Sequence, residues 1–176
     1  MKKRISLVLI CLLCFTLTGC KNHVEEGAEL LEAGSYTEAQ EEFEKAVKKD
    51  DESIEAYKGL GICYWEQQDY ENAEKNFKAA LNAGAKENAV LYNMLGICSV
   101  NLNRQDKAAF YFDEGRKMDD ASEELVQEMS FNLITAYEAT GRYDLAKQEL
   151  IEYTQQYPDD QAAQKELEFL NTQLAE

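Results

Sequence analysis

The sequence has few of the residues that enzymes use for acid–base or metal chemistry. His23 is its single histidine, so no second imidazole is available for a catalytic or metal-binding pair. The cysteines do not follow the spacing of a zinc site. Helix capping explains the three adjacent aspartate pairs (50–51, 119–120 and 159–160) better than a calcium loop, which needs alternating oxygen ligands and a glycine. We therefore predict no catalytic residue, no metal and no cofactor.

Proline and glycine are also scarce. The chain has one proline and nine glycines in 176 residues. Both residues interrupt helices, whereas the abundant Ala, Glu, Lys, Leu and Gln favour them. The composition predicts an all-α protein that is large enough for one domain with a buried core.

Positive charge is limited as well. Lysine and arginine number 18 against 34 acidic residues, which gives a net charge of −16. Such a surface repels nucleic acid and anionic lipid head groups, so we predict no nucleic-acid partner. The charge either suits a basic partner or keeps an exported protein soluble. We favour solubility, because the acidic residues are spread along the whole chain.

The N-terminus has the features of an export signal. Basic residues precede an apolar run at 5–18, which is too short to cross a bilayer comfortably. A Leu-Thr-Gly-Cys box at 17–20 closes this run and resembles the lipobox of bacterial lipoproteins. The resemblance implies a signal peptide at 1–19, cleavage before Cys20 and lipidation of the Cys20 sulfur. The alternative is an ordinary signal peptide in which the cysteine occurs by chance.

The residue after the box bears on localisation. Lys21, rather than an aspartate, follows the cysteine of the box, and this resembles lipoproteins that are sent to the outer membrane. The resemblance to lipoproteins implies that the anchored protein faces outward from the cell membrane, and that it lies in the outer membrane if the organism has one. The membrane would then be a partner through the lipid anchor.

A unit of about 34 residues recurs along the chain. The second copy shows it most clearly, with Tyr57, Leu60, Gly61, Tyr64, Tyr70, Ala73, Phe77, Ala80 and Leu81. Corresponding residues occur one unit earlier at 27–47, one unit later at 92–115, and again at 133–158. The pattern resembles the tetratricopeptide repeat (TPR), in which each unit is a pair of antiparallel helices, A and B. Repeats of this kind must stack to bury their apolar faces.

The resemblance implies an all-α solenoid of four repeats and a C-terminal capping helix. The predicted segments are the signal peptide at 1–19, repeats at 20–53, 54–88, 89–122 and 123–160, and the capping helix at 161–176. Glycines in the A helices allow helix B to approach, and aromatic residues of the B helices fill the space between repeats. These residues are Gly27, Gly61 and Gly96 on the A helices, with Phe43, Phe77 and Phe112 on the B helices.

Three local departures from the repeat carry predictions of their own. Asn103 replaces glycine in the turn of repeat three, so we expect a looser turn there. Ser122 resembles an N-cap with acidic residues after it, so helix A of repeat four should begin a turn early. Phe169 lies off the apolar stripe of the capping helix and is either packed on its flank or exposed.

Cys63 and Cys98 occupy equivalent positions in the A helices of repeats two and three. Packed helices lie about 8–10 Å apart, whereas a disulfide needs Cα atoms within about 7 Å. We predict that both are free, buried packing residues, with a disulfide as the alternative.

The A helices line the concave face in this family, which makes that face the candidate binding groove. Apolar residues there form a stripe, so the groove is either genuinely apolar or loses some of these side chains to the core. The positions that align with the groove are Lys58, Ile62, Trp65, Glu66, Asn93, Ile97, Val100, Asn101, Phe131, Thr135 and Glu138.

The groove differs from the clamp by which some TPR domains hold the acidic C-terminus of a partner. The clamp needs Lys and Asn where Val24 and Ala28 stand, and basic groups where Val90 and Met94 stand. A partner helix or an extended apolar peptide fits better.

The resemblance implies a membrane-anchored scaffold or adaptor that binds a protein or peptide through its concave groove and has no enzymatic activity. Two alternatives remain. One is an assembly or pilotin-type factor for a pilus, a secretion system or an outer-membrane machine. The other is a structural or ligand-binding lipoprotein without a dedicated protein partner.

Overall fold

The structure is a computed structural model that describes residues 22–49 and 54–173. These residues form nine α-helices and no strand. The helices are α1 His23–Glu32, α2 Tyr36–Lys48, α3 Ile54–Glu66, α4 Tyr70–Asn82, α5 Ala89–Asn101, α6 Gln105–Gly115, α7 Glu123–Ala139, α8 Tyr143–Gln156 and α9 Gln161–Gln173. The predicted signal peptide, Cys20 and the Asp50–Asp51 pair lie outside the described residues.

The first eight helices form four consecutive pairs, and each helix packs mainly on its neighbours in the chain. The odd-numbered helices are the A helices and the even-numbered ones the B helices. The ninth helix packs on α8 and follows the last pair. The predicted all-α solenoid of four repeats with a capping helix is therefore confirmed. None of the helices in the described part of the chain has the length and apolar character needed to cross a membrane.

Left-handed residues make the tight turns between helices A and B. Gly34 and Gly141 have φ values of +75° and +71°, the conformation in which glycine carries no Cβ penalty. Asn103 adopts the same conformation with φ +54°. The Arg104 amide donates to the Ser99 carbonyl at 2.8 Å, as the Ser35 amide does to Leu30 at 2.9 Å. The expectation of a looser turn in repeat three is therefore wrong, because asparagine tolerates this backbone conformation.

Aromatic rings of the B helices occupy the space above the glycines of the A helices. A Cβ atom on Gly61 would lie 2.4 Å from the Phe77 ring, and one on Gly96 would lie 2.4 Å from the Phe112 ring. Both rings are almost fully buried. The glycines thus make room for a phenyl ring, which refines the prediction of a close approach by helix B.

The C-terminal end is built as the local signals predicted. The Ser122 side chain accepts a hydrogen bond from the Leu125 amide at 3.2 Å, and α7 accordingly begins at Glu123. At the start of α9, Asp160 accepts hydrogen bonds from the amides of Ala162 and Ala163. The capping helix buries Ala163 and Leu170 against Leu150 and its neighbours, whereas Phe169 is 54% exposed.

The A helices are unevenly spaced. The first A helix, α1, packs directly on α3, and α5 packs directly on α7. The backbones of α3 and α5, and those of α7 and α9, approach each other less closely. Side chains still connect both pairs. Ile62 and Trp65 of α3 pack on the cluster that contains Leu91 of α5. Ile134 of α7 shares a buried cluster with Ala163 and Leu170 of α9.

Candidate functional site

A pocket of about 270 Å³ lies between α3 and α5. Most of its lining is apolar, and two charged side chains and one amide stand at its edge. It is lined by Lys58, Ile62, Phe77, Asn88, Val90, Leu91, Met94 and Asp120. Val90 is 59% exposed, which is unusual for a valine that belongs to an otherwise buried apolar surface.

Two of the predicted groove residues, Lys58 and Ile62, contribute to this pocket. Val90 and Met94, two apolar residues of α5 that line the pocket, were not among the predicted site residues. The sequence did indicate them, because both are apolar at positions where a TPR groove that binds an acidic C-terminus carries basic residues. Leu91 and Phe77 belong to the buried core and also line the pocket.

Three other apolar residues of the predicted groove are half-buried in the core. Trp65 packs beside a buried cluster that includes Phe77 and Leu95, and its indole N–H is buried without a hydrogen-bond partner among the described residues. Ile97 and Val100 pack in the same way against a cluster around Phe112. Their side chains therefore support the interfaces between repeats as well as lining the A-helix face.

Asn93 is a link between repeats. Its side chain is only 7% exposed, and its Nδ2 atom donates to Glu128 Oε1 on α7 at 3.0 Å. Its Oδ1 atom is buried and has no hydrogen-bond partner in the described structure. An unpaired buried acceptor lowers stability, so this amide is held at an energetic penalty beside the groove.

The polar residues of the predicted groove are held by local bonds. Lys58 pairs with Glu55 at 3.3 Å. Asn101 donates to the Ile97 carbonyl at 2.9 Å, and Thr135 donates to the Phe131 carbonyl at 3.1 Å. Glu66 is exposed at the end of α3, and its charge raises the pKa of Tyr36.

The remaining two predicted residues lie towards the capping helix. Phe131 is 39% exposed, and its ring centroid lies 5.9 Å from that of Tyr153. Glu138 is half-buried, and its pKa is raised first by burial and second by the nearby carboxylate of Glu166 on α9. The structure thus divides the predicted stripe into a pocket at repeats two and three and an acidic, aromatic region at repeat four.

The thiols offer no reactive centre. Both Cys63 and Cys98 are free and buried, as predicted. Burial raises the pKa of Cys63 to about 11 and that of Cys98 to about 12. Both thiols are therefore protonated at neutral pH and poor nucleophiles.

One group of side chains in the described residues has the composition of a metal site. His23, Glu26 and Glu42 bring ligand atoms within 4.8 Å of one another. Both nitrogens of the His23 ring are already engaged, one by Glu42 at 2.7 Å and the other by Lys49 at 2.8 Å. Lys45 also pairs with Glu42. A cation would have to displace two ammonium groups, so the cluster is better described as an ion-pair network between α1 and α2.

Comparisons with known proteins agree with this geometry. Profiles of the tetratricopeptide repeat match residues 24–89, 64–123 and 128–160. Among solved structures, YrrB, described as a TPR protein with an unusual peptide-binding site, is 24% identical with a TM-score of 0.74. The similarity covers 87% of this chain and 76% of YrrB.

A second similar structure is MamA AMB-1, which is 20% identical with a TM-score of 0.73 and covers 87% of this chain and 81% of its own. No curated protein matches the sequence. The family profiles cover more than half of the chain, and the described helices have the architecture of that family. The chain belongs to the tetratricopeptide repeat family.

Proposed function

We propose that this protein is a lipid-anchored scaffold that binds a segment of another protein on the face formed by its A helices. The observation that carries the proposal is the pocket between α3 and α5. It leaves Val90 59% exposed at the edge of an apolar surface that includes Ile62 and Met94. Apolar pockets of this kind hold the anchoring side chains of partner proteins.

The comparisons support a binding role. Proteins built from these repeats generally bind proteins or peptides, and YrrB is described as having a peptide-binding site. The described residues also lack a convergent set of reactive groups, since both buried thiols are protonated and the single histidine is held in an ion-pair network. A binding function needs no such groups.

The anchor is the second part of the proposal. Cys20 would carry a diacylglyceryl group, and each buried methylene contributes about 0.8 kcal/mol to membrane binding. The side chain of Asn22 caps α1, accepting a hydrogen bond from the Glu25 amide at 2.8 Å. The repeats would therefore begin almost directly at the lipid, and the partner would be bound close to the outer surface of the membrane.

Site-specific photo-crosslinking in the native cells tests the binding surface. A photoreactive amino acid at position 90 should capture a partner, because Val90 stands at the edge of the pocket. Position 110 is a matched control, since Phe110 is 58% exposed on α6 and does not line the pocket. Equal capture of the same protein at both positions, or no capture at position 90, would contradict the proposed surface.

Metabolic labelling with a palmitate analogue tests the anchor. The wild-type protein should be labelled and should remain with the membrane fraction, whereas Cys20→Ser should be unlabelled and released. Labelling of the Cys20→Ser variant would show that the lipid is attached to another residue, and would contradict the proposed anchor.

A further inference from the structure

We infer that the pocket between α3 and α5 receives one bulky apolar side chain from a positively charged segment of the partner. This inference rests on the proposed function and specifies the chemistry of the partner at that site. Three observations carry it: the size of the pocket, the composition of its lining, and the charge of the surrounding surface.

The size of the pocket suits a single side chain. Its volume of about 270 Å³ lies just below the range of about 300–1,000 Å³ that is typical of sites for small-molecule ligands and cofactors. The pocket opens to solvent along the face of the A helices, so a partner segment can lie across it while one side chain enters.

The lining favours an aliphatic or aromatic group. Ile62 of α3 and Met94 of α5 line the pocket and pack on one core cluster, to which the buried lining residues Leu91 and Phe77 belong. Methionine is unbranched and adapts its shape to different partners. The polar groups at the edge are already bonded: Lys58 to Glu55, Asn88 to the Leu91 amide, and Asp120 to the Ala89 amide. None of these bonds needs to break when an apolar side chain enters.

Asp120 lines the pocket, and further acidic residues stand on the neighbouring A helices. Glu55 and Glu66 stand on the same side of α3 as Ile62, seven residues before it and four residues after it. Glu128 faces α5 from α7, where it accepts the hydrogen bond of Asn93. The pocket lining carries one positive and one negative side chain, Lys58 and Asp120, and Lys58 is paired with Glu55. Lys86 and Lys117 also lie near Asp120. Glu87 and Asp119 stand beside them, so acidic residues still outnumber basic ones around the pocket.

The whole chain is also acidic, with a net charge of −16. Spread along the chain, this charge favours solubility, and the acidic residues beside the pocket add a preference for a basic partner at that site. Charge complementarity therefore selects a partner segment rich in lysine or arginine, and it speeds the encounter of the two proteins at low salt. An acidic tail is excluded on two grounds: it would be repelled, and Val90 and Met94 offer it no cation.

Three synthetic peptides test this chemistry against the full chain. The first has a central phenylalanine flanked by lysines and serines, the second replaces that phenylalanine with alanine, and the third replaces the lysines with glutamates. We expect the first to bind about tenfold or more tightly than the second, since burial of one aromatic side chain is worth at least that factor. It should also bind more tightly than the third, and added salt should weaken its binding.

Variants separate the pocket from the charge. Val90→Ser with Met94→Gln should abolish most of the preference for phenylalanine over alanine, while leaving the preference for lysine. Glu66→Gln with Glu128→Gln should reduce the salt dependence and leave the preference for phenylalanine. Phe110→Ser is the matched control, because it removes an equally exposed apolar residue outside the pocket and should change neither. Circular dichroism of each variant confirms that it is folded.

Two outcomes of the peptide experiment would overturn the inference. One is binding that does not distinguish lysine from glutamate or phenylalanine from alanine, and the other is the absence of binding by any of the three peptides at millimolar concentration. The proposed function fails separately, in the crosslinking experiment. A partner captured at position 90 through an acidic or wholly polar segment would keep the proposed function and refute this inference.

Discussion

The phenyl ring of Phe43 lies where a side chain on Gly59 would have to be. A Cβ atom on Gly59 would come within 2.3 Å of the ring, and one on Gly27 within 2.8 Å of the same ring. Phe43 is 1% exposed, so the ring is held between the A helices of repeats one and two. One aromatic residue thereby joins two repeats, and two glycines make its position possible.

Gly59→Ala should therefore destabilise the protein, although alanine favours helices by about 1 kcal/mol relative to glycine. Overpacking of a filled core costs about 1–3 kcal/mol, so we expect a net loss of up to about 2 kcal/mol in the free energy of unfolding, measured by urea denaturation. Phe43→Leu makes room for the new methyl group. If Gly59→Ala destabilises the Phe43→Leu background as strongly as the wild type, the steric explanation is wrong.

Glu74 should make the stability of the junction between repeats two and three dependent on pH. Its carboxylate is almost fully buried and bonds to Lys78 and to Arg104 of the next repeat. Burial alone would raise the pKa of Glu74, but the hydrogen bond from Lys78 and the charges of Lys78 and Arg104 outweigh it and lower the pKa below 4.5. Because the folded-state pKa is depressed, this stabilisation is present above the unfolded-state pKa and is lost as the pH falls through the folded-state value.

Glu74→Gln should lower the free energy of unfolding at pH 7 by about 1–3 kcal/mol, because it removes the charge-assisted hydrogen bonds of a buried carboxylate to Lys78 and Arg104. The difference from wild type should shrink as the pH is lowered below 4.5, and thermal melts across this range measure it. Glu71→Gln is the matched control, since Glu71 is exposed on the same helix. A difference that stays constant down to acidic pH would show that the charge of Glu74 is not what matters.

The charged carboxylate of Glu138 should destabilise the folded protein at neutral pH, in contrast to that of Glu74. Burial and the nearby Glu166 carboxylate raise its pKa, so the charged form destabilises the folded state above the folded-state pKa. We expect Glu138→Gln to increase the melting temperature at pH 7 and to lose that advantage as the pH falls through the raised pKa. A lower melting temperature at pH 7 would mean that the carboxylate of Glu138 stabilises the junction with the capping helix.

Both buried thiols should be unreactive in the folded protein. With pKa values raised to about 11 and about 12, Cys63 and Cys98 hold almost no thiolate at neutral pH. A thiol reagent such as Ellman's reagent should modify both only after unfolding in urea. Rapid modification of the native protein, or the loss of both free thiols to a disulfide, would contradict the buried, reduced state.

The local sequence predicted those parts of the structure that depend on neighbours in the chain. Ser122 begins α7 because its hydroxyl accepts from a nearby amide, and Gly34 ends the turn after α1 because only a left-handed residue fits there. The repeat of 34 residues places Phe43, Phe77 and Phe112 against glycines in the same way each time. Asn103 was misjudged because a glycine was assumed to be necessary where asparagine also adopts the conformation.

The candidate site was predicted only in part. Repeat positions identified Lys58 and Ile62, but they assign Trp65 to the same face although its indole packs beside the core. Alignment of the repeats treats equivalent A-helix positions alike, whereas the pocket depends on how two particular A helices, α3 and α5, pack against each other. The backbones of the A helices approach each other more closely at α1–α3 and α5–α7 than at α3–α5, where side chains such as Ile62 make the contact with α5.

The sequence by itself determined the family, the all-helical fold and the helix ends, because each of these follows from residue spacing and from hydrogen bonds within a few residues. Tertiary structure alone decided which of the aligned A-helix side chains are available to a partner. That outcome depends on how far α3 stands from α5, which is set by the packing of side chains from different repeats. This packing leaves Val90 at the surface and places Trp65 against the core, and no pattern of neighbouring residues in the sequence predicts it.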